Sequence, residues 1–255
     1  MRWRNDAFEH GDRLVPEETP VALVHDASTT AVMMATPADL EDFAVGFSLT
    51  EGLIQDIAEV RDLEIVDDLH GVEVRMWLTE DRSAELTARR RSLVGPTGCG
   101  LCGVESLAQA IPSLGQVPTG GQISVEQVRR VLSALANAQE LGAATRTVHA
   151  AGFWTPGQTD MTVREDVGRH NALDKLVGVL ARARRDVAEG AVVLTSRVSV
   201  EMVQKTARLG APILVAVSAP TALAVRTAET CGMTLIAVAR QDGFEVFTGA
   251  QRVAS

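Results

Sequence analysis

Tyrosine is absent from this chain, and phenylalanine and tryptophan together make up only 4% of it. So thin an aromatic supply argues against a platform on which nucleic-acid bases could stack. No apolar run is long enough to span a bilayer, and Met1-Arg2-Trp3-Arg4-Asn5-Asp6 lacks the apolar core of a secretory signal. There are only three cysteines, too few for a disulfide framework, so a cytoplasmic protein is expected. Neither a G-x-x-x-x-G-K-[ST] nor a G-x-G-x-x-G phosphate loop occurs. Positive charge is also in short supply. The formal net charge of −9 argues against general nucleic-acid binding, while leaving room for a local basic pocket that takes a small anion. What the 255 residues do offer is an ordinary globular apolar fraction without low-complexity tracts, enough for one large domain or two of usual size.

Two of the three cysteines fall in one stretch, Thr97-Gly98-Cys99-Gly100-Leu101-Cys102-Gly103. Its glycines allow backbone conformations that other residues resist. The upstream run Arg89-Arg90-Arg91 would favour a thiolate if it lies close, because cations lower the pKa of a thiol. Four readings compete. Structural zinc is almost always four-coordinate, and one C-x-x-C with the distant Cys231 and scattered histidines supplies ligands poorly. A thioredoxin-like pair belongs at a helix start near a βαβ pattern, and no clear strand precedes this one. The third reading is a loop without chemistry; the fourth is a reactive centre that handles sulfur.

Around this stretch the chain divides into three. Residues 1–93 read as a smaller mixed α/β domain. An irregular lead-in of about 20 residues is followed by strands at Val21–Val24 and Ala31–Met34. A helix follows, capped by Thr36, with Pro37 in its first position and Leu40, Phe43, Ala44 and Phe47 on its apolar face; Glu41 and Asp42 fall on what is expected to be its solvated face. A hairpin is expected from Leu63–Val66 and Val72–Leu78, with His70 in its turn. Residues 94–122, rich in glycine and proline, read as a connector carrying the cysteine loop.

Residues 123–255 read as an α/β domain. Ser124 and Gln127 form a capping box for a helix bearing Val128, Val131, Leu132 and Leu135, with Gly142 as its stop. Strands follow at Thr147–Phe153, where His149 reads as a core histidine, and at Met161–Val163. Asp166 is expected to cap a helix whose buried face is Leu173, Leu176, Val177 and Leu180. Arg169 and His170 then sit in its first turns against the macrodipole. A bound anion would remove that conflict; a surface ion-pair cluster with Glu165 and Asp174 is the plainer alternative. Beyond it, apolar strands alternate with helices of about ten residues, which implies parallel strands covered on both faces. Thr195-Ser196-Arg197, Ser218-Ala219-Pro220 and Ala239-Arg240-Gln241-Asp242 all follow strand ends, the edge where open α/β sheets bind ligands. Arg197 and Arg240 could meet phosphates there. Cys231 reads as a small apolar filler.

Several of these segments resemble the FdhD family, sulfur carriers required for formate dehydrogenase activity. The resemblance rests on Cys99-Gly100-Leu101-Cys102-Gly103, on the dodecapeptide from Arg164 to Lys175, on Thr195-Ser196-Arg197, on the Ala239–Thr248 hairpin and on Pro37–Ile54. It implies a cytosolic homodimer whose larger domain is similar to the cytidine deaminase-like fold. The H-x-E and P-C-x-x-C zinc signature of deaminases is missing, so neither deamination nor a tightly bound metal is implied. The family takes sulfur as a persulfide from a cysteine desulfurase. It passes the sulfur to the bis-molybdopterin guanine dinucleotide form of the molybdenum cofactor, before that cofactor enters formate dehydrogenase. By the resemblance Cys99 is the persulfide carrier and Cys102 its partner. Val238, Ala239, Arg240, Gln241, Asp242 and Gly243 form the cofactor-binding segment, and Arg164, Arg169, His170 and Arg197 are further candidates to hold its phosphates. The rival function is a cofactor-binding chaperone that does no transfer chemistry.

Overall fold

The structure is a computed structural model that describes residues 1–4, 6–92, 114–158 and 160–254, the side chains of 4 and 89–92 excepted. Cys99, Cys102 and most of the expected connector lie outside the described residues.

The lead-in is more ordered than the sequence suggests. Strands β1 (Arg2–Arg4) and β2 (Ala7–Glu9) form a small hairpin, in which the Trp3 and Phe8 rings stand 5.0 Å apart. A four-stranded sheet follows. Its strands, in spatial order, are β4 (Ser28–Ala35), β3 (Thr19–His25), β6 (Gly71–Leu78) and β5 (Val60–Asp68), with β3 and β6 parallel and the other neighbours antiparallel. Alternate residues Val74, Met76 and Leu78 of β6 are buried, as a pleated strand with one covered face requires. Helix α1 (Leu40–Thr50) covers that face with Phe43, Ala44 and Phe47. Thr36 does not cap it: Asp39 is the N-cap, in a left-handed conformation and without a side-chain cap bond. Helix α2 (Glu80–Ser92) has no counterpart in the sequence reading, because Leu86 is the one buried hydrophobic residue among its described side chains and no apolar stripe marks it.

The second sheet has six strands. In order they are β13 (Glu245–Thr248), β12 (Thr234–Ala237), β11 (Ile213–Ala216), β10 (Ala191–Leu194), β8 (His149–Trp154) and β9 (Thr162–Asp166). The central three are parallel; β8 and β13 run against them, and β9 runs against β8. The central strands are buried throughout because helices cover both faces. On one side lie α5 (Arg169–Arg182), α6 (Val200–Leu209) and α7 (Ala222–Thr230), packed through Leu173, Leu176, Met202, Val203 and Ala228. On the other lies α3 (Val125–Ala138), whose Val128, Val131, Leu132 and Leu135 are buried against Val193 and Val215. Ser124 and Gln127 do form the capping box of α3. The chain breaks at Gln139, before Gly142, and continues as the short α4 (Glu140–Thr145). Strands β7 (Ile123–Ser124) and β14 (Val253–Ala254) pair in parallel and bind the C-terminal segment to the start of α3.

The two sheets are joined through α1 and α5, which cross backbone to backbone. A Cβ on Gly46 would stand 1.7 Å from the Asp174 carbonyl oxygen, and one on Gly178 would stand 1.8 Å from that of Asp42. Neither partner is the end of a flexible side chain, so neither can step aside. Gly46→Ala and Gly178→Ala are each expected to cost at least about 3 kcal/mol, the upper part of the range for overpacking a core. Gly243→Ala, with nothing within 4 Å of its added Cβ, should leave the urea midpoint unchanged. Urea denaturation of the three variants measures this directly.

Candidate functional site

Because β8 reverses direction between them, β9 runs the same way as β10, β11 and β12. All four strands therefore end at one edge of the sheet. The loops that follow them are Val167–Gly168, Thr195–Ser199, Val217–Thr221 and Val238–Gly243, and the first three lead into α5, α6 and α7. Three helix N-termini thus meet at this edge, each with partial positive charge and amides that lack intrahelical partners. A threonine side chain caps α7, Thr221 accepting from the Ala224 amide, whereas α5 and α6 have no side-chain cap. Strand β8 starts at the same edge, where His149 faces Asp166 and the Ala150 amide donates to Thr195 Oγ1 at 2.9 Å.

Arg169 and His170 open α5, with no acidic residue in its first turn. Arg169 Nε is buried and has no hydrogen-bond partner among the described residues. Arg197 is exposed in its loop. The Val238–Gly243 loop is tightly folded: the Arg240 amide donates to the Gly243 carbonyl at 2.7 Å, and Gln241 Nε2 donates to Ser133 Oγ at 2.9 Å. Val238 has φ 53°, a left-handed conformation that a β-branched residue rarely takes. It is held there by its amide bond to the Ser218 carbonyl and by the next amide's bond to Ala216. The Arg240 guanidinium donates back to the Val217 and Ala239 carbonyls, and Asp242 is exposed.

Burial, reinforced by the positive charge of Arg169 and Lys205, lowers the pKa of His170 to about 4 against the opposing pull of Glu201 and Glu51. Burial and Arg169 lower His149 as well, with Asp166 opposing. Both imidazoles are therefore neutral near pH 7. Glu201 is lowered although burial opposes its charge, because Ser199, its own amide and the cations nearby favour the carboxylate.

Most of the other polar residues of the dodecapeptide are occupied in joining the two sheets. Arg164 donates through Nε and Nη2 to Asp42 Oδ2, at 2.9 and 2.7 Å, and lies 3.4 Å from Asp39. It faces α1 instead of the edge. Asp42, expected on a solvated helix face, is 3% exposed and also binds Arg182, which reaches Glu41 too. Asp166 ends β9 and does not cap the helix; Gly168 is the N-cap. The Asp166 carboxylate is buried 2.6 Å from Lys175 Nζ, and Lys175 also donates to the Thr36 carbonyl at 2.9 Å. Nor do Glu165 and Asp174 form a surface cluster. Glu165 accepts from the Leu141 and Gly142 amides at the start of α4, while Asp174 is buried against Lys205 Nζ, 2.8 Å away. Lys205 further donates to Thr50 and Glu51, and its ammonium is raised because those carboxylates outweigh the cost of burial. Burial pushes the Asp174 carboxyl up, against Lys205 and Thr50. Lys175 and Lys205 also stand 6.0 and 5.7 Å from the ring centres of Phe43 and Phe47. Sequence reading missed Thr36, Asp42 and Lys205 as members of this network, since all their partners but one lie more than a hundred residues away; the exception, Asp174, is 31 residues from Lys205. Cys231 is buried with a raised thiol pKa, as expected of a filler.

Fold and edge together define an α/β protein with a cationic, amide-rich rim at the carboxyl ends of its strands. The FdhD/NarQ family model matches residues 16–254, and the chain belongs to that family. It is 52% identical over 246 residues to the sulfur carrier protein FdhD of Agrobacterium fabrum, covering 95% of this chain and 90% of the relative. The sulfur carrier protein FdhD of Brucella abortus is 47% identical over 251 residues, covering 98% and 93%. A crystal structure of a formate dehydrogenase accessory protein from Desulfotalea psychrophila superposes with a TM-score of 0.77 at 26% identity, covering 98% of this chain and 95% of that one. No helix among the described residues is long and apolar enough to cross a membrane.

The lowered His170 sets a direction for acid sensitivity. Between its ordinary pKa of 6.5 and about 4, the unfolded chain binds more protons at this position than the folded one. Stability present above pH 6.5 should therefore be lost as pH falls through that window. His170→Gln should flatten this part of the profile, which urea titrations at stepped pH will read.

Proposed function

We propose that this protein is a sulfurtransferase. It accepts sulfur from a cysteine desulfurase persulfide and delivers it to the bis-molybdopterin guanine dinucleotide form of the molybdenum cofactor, its substrate, ahead of insertion into formate dehydrogenase. The relatives named as sulfur carriers support the sulfur role. The observation that carries the binding half is the meeting of uncapped helix N-termini, Arg169, Arg197 and the 238–243 loop at one strand edge. A dinucleotide brings several phosphate charges, and helix N-termini with arginine forks suit them. In this reading Arg169, His170, Arg197 and Val238–Gly243 hold the substrate. His170, being neutral, contributes a hydrogen bond and no charge. Arg164 acts at one remove, keeping α1 against α5. The protein works as a homodimer in the cytoplasm.

The chemistry belongs to Cys99 and Cys102. The Cys99 thiolate attacks the outer sulfur of the donor persulfide. A new S–S bond forms on Cys99, the donor's S–S bond breaks, and the donor's cysteine leaves as a thiolate. For delivery, the Cys102 thiolate attacks Cys99 Sγ, and the outer sulfur departs as hydrosulfide to the molybdenum centre. The Cys99–Cys102 disulfide keeps the two oxidising equivalents until a dithiol reduces it.

Intact-mass measurement after incubation with a desulfurase and cysteine tests the assignment. The wild type should gain one sulfur atom, Cys99→Ala none, and Cys102→Ala should gain it and discharge it slowly. If the Cys99→Ala, Cys102→Ala double variant still restores formate dehydrogenase activity, the protein is a binding chaperone and the transfer chemistry is wrong.

A further inference from the structure

The turn before α5 is held from outside its own sheet. Thr36, buried at the end of β4, meets it with three groups: Oγ1 accepts from the Val167 amide at 3.1 Å, its amide donates to Asp166 Oδ2 at 3.0 Å, and its carbonyl accepts from Lys175 Nζ at 2.9 Å. Asp166 Oδ1 accepts from the Gly168 amide at 2.8 Å and from Asn171 Nδ2 at 3.0 Å, and that nitrogen also reaches the Met34 carbonyl at 2.8 Å. The amides of Val167 and Gly168 are thereby turned inward. Those of the first helical turn, beginning at Arg169, carry no side-chain cap, and Arg169 Nε is unbonded among the described residues. A bound phosphate would find these donors and not the two preceding them.

We infer that Thr36 is a positioning residue for anion binding: its hydroxyl, supplied by the N-terminal sheet, fixes the turn that presents Arg169 and the first-turn amides of α5 to the ligand's phosphates. The inference rests on the proposed dinucleotide site. It makes the N-terminal sheet part of that site's geometry, though none of that sheet's residues need touch the ligand. Only the hydroxyl is put at stake by substitution, since the other two contacts use backbone atoms.

The test uses the full chain and guanosine diphosphate as probe, with calorimetric titration and a thermal melt for each variant. Thr36→Val keeps the shape and both backbone contacts but removes the acceptor for Val167. It is expected to bind about tenfold more weakly, the scale of one hydrogen bond lost. Thr36→Ser restores the hydroxyl and should restore the affinity, which a general packing defect would not do. Thr36→Ala serves if the valine variant does not fold. Equal affinity in wild type and Thr36→Val, with Arg169→Ala weakened, overturns the role of Thr36 and leaves the site standing. Weak binding by Thr36→Ser to the same degree as Thr36→Val overturns it too. No binding by the wild type overturns the dinucleotide reading itself, and the inference with it.

Discussion

The contact between α1 and α5 is the constraint from which the rest follows. Gly46 and Gly178 let two helices approach until backbone meets backbone, with no layer of side chains between. So close a crossing fixes the axis of α5 relative to the four-stranded sheet, and α5 carries the first arginine of the proposed ligand edge. Buried charge surrounds the crossing: Asp166 with Lys175, Asp174 with Lys205, and Asp42 between Arg164 and Arg182. Taking an ion from water costs several kcal/mol, recovered only when geometry is good and the remaining hydrogen-bonding sites are filled. Here they are filled. Asp166 receives two backbone amides, Asn171 and Lys175, and Lys205 serves Asp174, Thr50 and Glu51 together. Such a network tolerates little displacement, because losing one member leaves its partner's charge buried and unpaired.

This division of labour explains an arrangement that looks redundant in sequence. The stretch from Arg164 to Lys175 contains three cations, yet they do different work. Arg164 and Lys175 are neutralised by carboxylates at the helix crossing, whereas Arg169 Nε has no hydrogen-bond partner among the described residues. The chain as a whole is acidic, at −9, so the attraction proposed for an anion is local. It arises where helix N-termini and arginines gather and where burial keeps both histidines neutral.

Much of this was legible from the residues. Leu173, Leu176, Val177 and Leu180 announce their helix through period alone, and the Ser124–Gln127 capping box marks the start of another. The loops at Thr195, Ser218 and Ala239 do follow strand ends at one edge, and this was readable because uninterrupted apolar strands between helices admit few topologies. What periodicity cannot supply is pairing across more than a hundred residues. Asp42 has the spacing of a surface acid and becomes a buried ion partner because β9 carries Arg164 to it and α5 carries Arg182. Asp166 has the look of a helix cap, a local role, and takes a tertiary one with Lys175 and Thr36. Helix α2 escaped for the opposite reason: with Leu86 alone buried among its described side chains, it leaves no pattern to read.

A phosphate-rich guest is proposed to sit at the shared strand edge, and a crystal structure of the full chain with guanosine diphosphate would show whether it does. Diphosphate density is expected against the first turn of α5, within reach of Arg169 and Arg197, with the 238–243 loop alongside. Density elsewhere, for instance in the cavity of about 480 Å³ lined by Gly157, Gln158, Met161 and Arg185, would contradict it.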